Sequence, residues 1–274
     1  MKIALLLSYI CLSCACVREE KTVINEVAVP LEISIASNTR GTVLPDGTEV
    51  GVYIAEESEE DSEYKYDGAE YKNVRAVIEG GKLKFDQDIM LSSTNTNIYI
   101  YSPYKAYYSS QQITRVTTKA SPDFLLGKSE GINNLTPNAS IVLQHMYATI
   151  RFKIRNVSSP ARSSIILVVT LRNNEGYTNL SSTGLFNLKN CSIIPTTPSA
   201  HAVSISFSPA YIVTDHFPSD ENSIEMSVIP TPVSAGDMIL EVGFSPGEKS
   251  IFPILPVNWE PGKIYTYELS VVIP

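Results

Sequence analysis

The residues that could do acid–base or metal chemistry are few in this chain and lie far apart. Its 274 residues include three histidines, His145, His201 and His216. No two of them have the spacing of a zinc site, and none lies in an H-E-x-x-H motif. His145 lies on the face opposite the apolar row of its strand, which favours a structural hydrogen bond. The sequence therefore predicts no catalytic residue, no metal site and no cofactor, and the protein is expected not to be an enzyme.

Carboxylates offer a second route to chemistry. The acidic run from Glu56 to Glu63 lacks the glycine turn and the ligand alternation of an EF-hand loop, so it predicts a solvated hairpin loop. The two carboxylates of a glycoside hydrolase are brought together by the fold, so their separation along the sequence is not diagnostic. A secreted hydrolase on a β-sandwich therefore remains an alternative.

Three of the four cysteines, Cys11, Cys14 and Cys16, lie at the end of an apolar leader that begins with Lys2. This layout is typical of an export signal. A small residue precedes both Cys14 and Cys16, as in a bacterial lipoprotein signal, although the usual aliphatic residue three positions earlier is missing. We predict a lipoprotein signal at 1–15 with lipidation of Cys16, and with Cys14 as the alternative. An ordinary secretory signal with incidental cysteines is the competing interpretation.

The remaining cysteine, Cys191, has no partner within the chain once the leader is removed, so no intramolecular disulfide is expected. Cys191 is predicted to be a small buried hydrophobic residue. The formal net charge of −8 argues against a nucleic-acid partner, because an acidic chain repels a phosphate backbone. Hydrophobic residues make up 43% of the chain, which is enough for a packed core.

The elements that must position these residues are β-strands throughout. Apolar residues alternate at 27–35 and again from Met146 to Ile154, which is the period of half-buried strands. Further strands are predicted at 49–55, 82–85, 98–101, 165–171, 203–207, 224–228, 238–244 and 265–273. Turn residues separate them, and no amphipathic helix is convincing. The pattern predicts an all-β protein built from β-sandwiches.

The length predicts two sandwiches, at about 100 residues each. The polar, proline-containing stretch Leu135–Asn138 marks the boundary, which gives a domain at 16–136 and another at 137–274. We expect Ile150 and Phe152 to be buried where the second sandwich begins, and Tyr265 and Tyr267 to be buried in its last strand.

A tyrosine-rich patch is formed by Tyr99, Tyr101, Tyr104, Tyr107 and Tyr108. Tyrosine offers a flat apolar surface with a polar tip, which suits sugar rings. A surface carbohydrate-binding lipoprotein of a glycan-uptake system is therefore a second alternative.

Five motifs, in order, resemble the fimbrillin-like family of Bacteroidota, the subunits of type V pili. They are N-T-R-G at 38–41 with G-T-E-V-G-V-Y at 47–53, I-Y-I-Y-S-P-Y at 98–104, P-D-F-L-L-G at 122–127, V-L-Q-H-M-Y-A-T-I at 142–150, and W-E-P-G-K-I-Y-T-Y at 259–267. The fourth matches the strand that opens the second domain of the family. The pair Glu19-Glu20 resembles the export tag that sends such lipoproteins to the outer face of the outer membrane.

The resemblance implies two consecutive transthyretin-like, Greek-key β-sandwich domains and no catalytic site. It also implies a cell-surface fimbrium in which other fimbrillin subunits are partners by β-strand exchange. In the family, an Arg-specific protease removes the first strand, here about 27–36, and Arg40 follows it in a glycine-containing loop suited to cleavage. The competing interpretation is that Arg40 is an ordinary loop residue.

In the family, the strand given to a neighbour is an extension beyond the last strand, so the resemblance makes position in the pilus depend on where that strand ends. The chain stops at Pro274, soon after the strand that contains Tyr267, and that strand is needed by the second sandwich. The sequence therefore predicts a subunit that accepts a donor strand without giving one. A distal tip is favoured over an anchor, and the adhesion target, a host or glycan ligand, is left open.

Overall fold

The computed structural model describes residues 28–37, 44–56, 69–110, 114–117, 123–158, 164–196, 202–245 and 247–272. The leader with Cys14 and Cys16, the loop with Arg40, and all of the acidic run after Glu56 lie outside these ranges. Within them the chain is built of strands joined by turns, with short 3₁₀ helices at Ala106–Ser110 and Asp220–Asn222. The all-β prediction is confirmed.

The described part of the first half of the chain contains ten strands. They are β1 (Val29–Pro30), β2 (Glu32–Ser37), β3 (Glu49–Glu56), β4 (Ala69–Glu79), β5 (Lys82–Phe85), β6 (Met90–Leu91), β7 (Thr96–Ser102), β8 (Thr114–Thr117), β9 (Leu125–Ile132) and β10 (Asn138–His145). Seven of them close into a ring in the order β10-β2-β5-β4-β3-β7-β9. Because side chains alternate across a strand, one side chain in two points into this ring and forms the first core.

The described residues of the second half form eleven more strands. They are β11 (Ala148–Asn156), β12 (Ser164–Asn173), β13 (Thr183–Asn187), β14 (Ser192–Pro195), β15 (Ala202–Val213), β16 (Ile224–Val228), β17 (Pro232–Val233), β18 (Met238–Phe244), β19 (Lys249–Pro253), β20 (Val257–Asn258) and β21 (Ile264–Val271). A β16-β11-β21 sheet and a β15-β12-β18-β19 sheet enclose the second core, which includes Phe152 and Trp259. This is the sandwich that the alternating pattern predicts.

Residues 138–145, which the predicted boundary assigns to the second domain, lie in the first ring instead. β10 pairs in parallel with β2 and antiparallel with β9. Its apolar residues Ile141 and Leu143 belong to the first core. The division into two domains stays a prediction, but by strand pairing it falls after His145 rather than after residue 136. A pattern of alternating apolar residues predicts a strand but does not predict which core its side chains join.

A third cluster joins the two halves. It contains Tyr53, Tyr99, Tyr101, Tyr108, Phe124, Tyr147, Phe186 and Ile229 among its buried members. β8 crosses between the halves by pairing with β13. The outer face of the first ring is thereby covered by a hairpin from the second half.

Burial in the second sandwich follows the prediction on one strand only. Ile150 and Phe152 on β11 are each 0% exposed. Tyr265 and Tyr267, their register partners on β21, are only half-buried. Among the described residues β21 pairs with β11 alone, so its other edge is open and its side chains are covered from one side.

Candidate functional site

The candidate site is the position that the first strand, β1 and β2, occupies in the first ring. We call this position its seat; β2 lies there between β10 and β5. β2 runs parallel to β10 over six register pairs, from Glu32 opposite Asn138 to Ser37 opposite Leu143. On its other side it meets β5 at one pair, Ser34 opposite Lys82. The short β1 pairs with β6. The first strand is therefore held along its length mainly by β10.

Side chains of this strand alternate between the core and solvent. Leu31 is 6% exposed and Ile33 is 1% exposed, while Glu32 and Ser34 are exposed. The branched side chain of Ile33 suits a strand, because a β-branched residue packs well on a pleated surface. Burial of each of these two side chains stabilises the strand in its seat by about 1.5–3 kcal/mol.

Backbone hydrogen bonds outside the β10 ladder fix the strand at three points. The Leu31 N–H donates to the Ile89 carbonyl at 2.9 Å, and the Glu32 N–H donates to the Pro137 carbonyl at 3.0 Å. The Ile35 N–H donates to the Gly81 carbonyl at 2.8 Å. Pro30, which has no N–H to give, lies in β1 beside Met90.

Among the described residues, two side-chain contacts support the exposed face. Lys82 Nζ lies 3.3 Å from Glu32 Oε2, and both side chains are more than half exposed, so this ion pair contributes little. The Ser34 hydroxyl donates to the Ala139 carbonyl at 3.2 Å. The strand is thus retained by its backbone and by two buried side chains.

Loss of residues 28–37 would change the first ring in a defined way. It would leave unpaired the edge of β10 and the carbonyls of Gly81, Ile89 and Pro137, and it would empty the space that Leu31 and Ile33 fill. An unpaired strand edge beside an apolar slot can accept another extended chain. The geometry therefore supports β-augmentation at this seat.

The tyrosine patch does not form a surface platform. Tyr99 is 1% exposed, Tyr101 is 0% exposed and Tyr108 is 4% exposed, all within the cluster between the two halves. Tyr107 is 60% exposed and stands against Tyr108 in an edge-on contact. About half of the patch is thus core and half is accessible, as expected, which leaves Tyr104 and Tyr107 for any sugar-binding face on these tyrosines.

The buried hydroxyls in this cluster serve the structure. Tyr101 donates to Asn73 Oδ1 at 2.5 Å, and the Tyr53 hydroxyl donates to the Tyr108 carbonyl at 3.0 Å. Burial raises the pKa of Tyr53 to about 12 and shifts the pKa of Tyr101 upward as well. Both phenols stay protonated and act as hydrogen-bond donors.

His145 takes the structural role expected for it. Its Nδ1 forms a short contact with Asp123 Oδ2, and both side chains are mostly buried. The contact ties the end of β10 to the residue that precedes Phe124 in the third cluster. His216 lies elsewhere, in an exposed loop, next to Asp215.

Cys191 is half-buried at the rim of the third cluster, with Sγ 3.5 Å from the Leu188 carbonyl. Burial raises the pKa of this thiol to about 11. A thiol that remains protonated near neutral pH is a poor nucleophile. Its place beside apolar residues agrees with a packing role.

One sequence motif has the spacing of a catalytic nucleophile and bears on the prediction of no catalytic site. Gly127-Lys128-Ser129-Glu130-Gly131 has the G-x-S-x-G spacing of a hydrolase nucleophile, which requires a sharp turn between a strand and a helix. Here the motif lies within β9, and Ser129 pairs in register with Ile98 of β7. The structural context of a nucleophile turn is therefore missing.

The described residues contain no group of histidine, cysteine, aspartate or glutamate arranged to hold a metal ion. Within the same ranges, no helix has the length and apolar character needed to cross a bilayer. The lipidation candidates Cys16 and Cys14 and the cleavage candidate Arg40 lie outside the described residues, so these assignments stay predictions.

Comparison with known proteins gives one family and several related folds. The fimbrillin-like family model matches residues 37–272. No curated protein matches the chain significantly.

Among solved structures, a candidate cell adhesion protein from Bacteroides uniformis aligns with 15% identity and a TM-score of 0.63, covering 89% of this chain and 93% of the other. A candidate cell adhesion protein from Bacteroides ovatus aligns with 16% identity and a TM-score of 0.61, covering 89% and 92%. A fimbrial protein from Bacteroides vulgatus aligns with 12% identity and a TM-score of 0.52, covering 88% and 95%. At these identities the likeness is one of fold.

Proposed function

The chain belongs to the fimbrillin-like family, and from this membership we propose that it is a non-enzymatic, structural and adhesive subunit of a cell-surface fimbrium. Other fimbrial subunits are its partners in this proposal. The finer points are assembly by donor-strand exchange, a place at the fimbrial tip and a lipid anchor before maturation.

The observation that carries the proposal is the seat of the first strand. β2 fills a slot between β10 and β5 through backbone pairing and the side chains of Leu31 and Ile33. Removal of this strand at Arg40 would leave a groove with an unpaired edge, which a strand from a neighbouring subunit can fill. Donor-strand exchange needs an acceptor of this kind.

The tip position is supported by the role of β21 within its own sandwich. This strand runs parallel to β11 over eight register pairs and supplies Tyr265, Tyr267 and Leu269 to the second core. A strand engaged in its own sandwich is not free to enter a neighbour. The subunit would then accept a donor through β10 and place its second sandwich beyond the last stalk subunit. An anchor would retain its first strand, which makes Arg40 cleavage the feature that separates the two positions.

The lipid anchor is proposed at Cys16, with Cys14 as the alternative, on the outer membrane. A clickable fatty acid supplied to growing cells should label wild type and the Cys14→Ala variant but leave Cys16→Ala unlabelled. Label that persists in Cys16→Ala and disappears in Cys14→Ala would move the anchor to Cys14.

Strand exchange is tested by mixing the protease-treated protein with a stalk subunit. Purified protein is treated with an Arg-specific protease and then combined with a cognate stalk subunit. We expect a stable one-to-one complex that survives mild denaturant, together with loss of the segment before residue 41. Arg40→Lys, which keeps the charge and blocks this protease, should form no complex, whereas Arg75→Lys in β4 should behave like wild type.

Two results would contradict the proposal. A complex that forms equally well with Arg40→Lys would show that the first strand is not exchanged. Ladders formed by the trimmed protein alone would show that it carries a donor strand, which would remove the tip assignment.

A further inference from the structure

The second sandwich has a cleft at the pole that points away from the first ring. β11 begins beside Met146 and Tyr147 of the third cluster and ends at Asn156. Nine residues of strand span roughly 30 Å, at about 3.3 Å per residue. The Asn156 N–H then donates to the Thr214 carbonyl at 2.8 Å, so the loop at 214–223 lies at the far end of the sandwich.

An irregularity in β15 opens one wall of the cleft. Val168 of β12 pairs with Ser206, whereas Ile166, two residues away, pairs with Tyr211. Residues 207–210 therefore form a bulge that leaves the ladder. Tyr211 returns from the bulge against Phe207, with ring centroids 5.4 Å apart.

The opposite wall is the loop at 214–223, which charges hold against the outer face of β11. Asp220 accepts from Arg151 in a short contact and lies 2.6 Å from Lys153 Nζ. The guanidinium of Arg155 lies 4.4 Å from the centre of the Phe217 ring. These contacts fix the loop before any ligand arrives, and a fixed site loses less entropy on binding.

A further hydrogen bond connects the two walls. The Tyr211 hydroxyl donates to the Asn222 carbonyl at 2.5 Å. Burial shifts the pKa of Tyr211 upward, so the phenol stays protonated and the bond is maintained. The cleft is thus a built feature of about 810 Å³ rather than a gap between mobile segments.

The lining combines rings with polar groups. It includes Tyr211, Ile212, Thr214, His216, Phe217, Glu221 and Asn222. Ile212 is 68% exposed, and the His216 side chain is 75% exposed. Apolar and aromatic surface beside amide, hydroxyl and carboxylate groups matches the two faces of a sugar ring, which has C–H groups on one side and hydroxyls around its rim.

The charge of the lining narrows the class of sugar. No lysine or arginine is among the described residues that line the cleft, where Glu221 is the exposed carboxylate. The nearby Arg155 guanidinium is engaged with the Phe217 ring. Carboxylates accept hydrogen bonds from sugar hydroxyls but repel an anionic sugar. Neutral sugars are therefore favoured over sialylated ones.

We propose that this polar cleft, between the β15 bulge and the 214–223 loop, binds a neutral oligosaccharide. Its relevance to adhesion rests on the proposed tip position, because the pole that carries the cleft would then be the free end of the fimbrium. Binding itself is a property of the folded chain and does not depend on assembly.

The test uses the purified full-length protein on an array of neutral and sialylated oligosaccharides, followed by calorimetric titration with the neutral oligosaccharide of highest signal. His216→Ala combined with Glu221→Ala should weaken binding by about tenfold or more, since both groups line the cleft. A matched control, Tyr177→Ala combined with Glu175→Ala, removes a ring and a carboxylate from the loop at the other end of β12 and should leave the affinity unchanged. Thermal melts of both variants confirm that the fold is intact.

Absence of binding to every neutral oligosaccharide, a preference for sialylated ones, or equal affinity of the cleft variant and wild type would each overturn the inference. The mixing experiment with a stalk subunit is scored separately. A protein that forms the complex but binds no sugar refutes only the cleft, and one that binds sugar but forms no complex refutes only the strand exchange.

Discussion

The two halves of the molecule each contain one strand that runs parallel to its neighbour, and the two strands are held differently. β2 follows β10 over six register pairs and also touches β5, closing the first ring. β21 follows β11 over eight register pairs and has no second neighbour among the described strands. The strand with two neighbours is the one proposed to leave.

Side-chain anchoring explains this difference. The Tyr265 hydroxyl donates to the Asn258 carbonyl at 2.7 Å and accepts from the Glu260 N–H at 2.9 Å, and Trp259 Nε1 lies 3.4 Å from the Tyr267 hydroxyl. β21 is therefore tied to the turn that leads into it. β2 has one exposed ion pair and one hydroxyl contact in addition to Leu31, Ile33 and the half-buried Ile35. If β2 is exchanged as proposed, the number of side chains that hold a strand matters more for exchange than the number of its neighbours.

The largest effect is expected where β11 supports β21. Phe152 is fully buried, and its ring centroid lies 5.8 Å from that of Tyr267. Phe152→Ala leaves a cavity and should lower the free energy of unfolding by about 3–5 kcal/mol. Chemical denaturation followed by circular dichroism measures this loss. Thr266→Ala, at an exposed position on β21, is the control and should change stability by less than about 0.5 kcal/mol.

Truncation on β2 should have a more local effect. Ile33→Ala removes one of the two buried side chains that hold β2 and should destabilise the strand by about 2–5 kcal/mol. Hydrogen exchange should accelerate at the amides of β2 and β10 while β21 stays protected, because the second core is separate. Equal acceleration of exchange in β2 and β21 would show that the two halves open together, which would contradict the proposed difference between the two strands. Ala36→Ser, which changes an exposed side chain of the same strand, should leave exchange unaltered.

A smaller effect is expected at the junction between the halves. Tyr101→Phe keeps the ring within the third cluster and removes the hydroxyl that donates to Asn73 and accepts from the Lys105 N–H. Because Asn73 and the Lys105 N–H then lose this partner, the free energy of unfolding should fall by about 1–3 kcal/mol. Calorimetry should show the two halves melting further apart in temperature than in wild type. Tyr177→Phe, on an exposed ring outside the third cluster, is the matched control.

The smallest effect concerns pH and the second sandwich. The Lys153 side chain, with help from Arg151, holds the pKa of Asp220 below its usual range. A carboxyl with a lowered folded-state pKa stabilises the fold above its unfolded pKa of about 3.9, and the contribution is lost as pH falls through the lowered folded value. Asp220→Asn should flatten the decline in stability between about pH 5 and the acid limit. Denaturation of wild type and variant over this range, with Asp86→Asn as control, measures the slope. An unchanged slope in Asp220→Asn would show that Asp220 does not contribute to it.

The strands could be predicted where alternation is regular. β16 and β18 have the predicted bounds, 224–228 and 238–244. β4 and β9 were missed, because the segments AEYKNVRAVIE and LLGKSEGI are rich in polar residues or glycine and show little alternation. Their pairing with β3 and β7 holds them in place, a long-range contact that no local pattern reveals.

The proposed binding cleft had no signal in the sequence at all. Tyr211, His216 and Phe217 lie within seven residues of one another, but in the sequence they follow the strand predicted at 203–207 and carry no recognisable motif. Arg151, Lys153 and Arg155, which hold that loop, come from β11, about 60 residues earlier in the chain. Only the folded chain brings the two segments together.

The sequence by itself determined the local and compositional facts: an all-β chain, the apolar rows of β2 and β11, and motifs ordered as in one family. Side chains alternate with a period of two, so the sequence sorts residues onto two faces of each strand. What covers each face is decided by pairing and packing between distant segments. Tertiary structure therefore decided that β10 belongs to the first core and that Tyr99 and Tyr101 are buried between the two halves. It also decided that β2 is held by fewer side-chain contacts than β21.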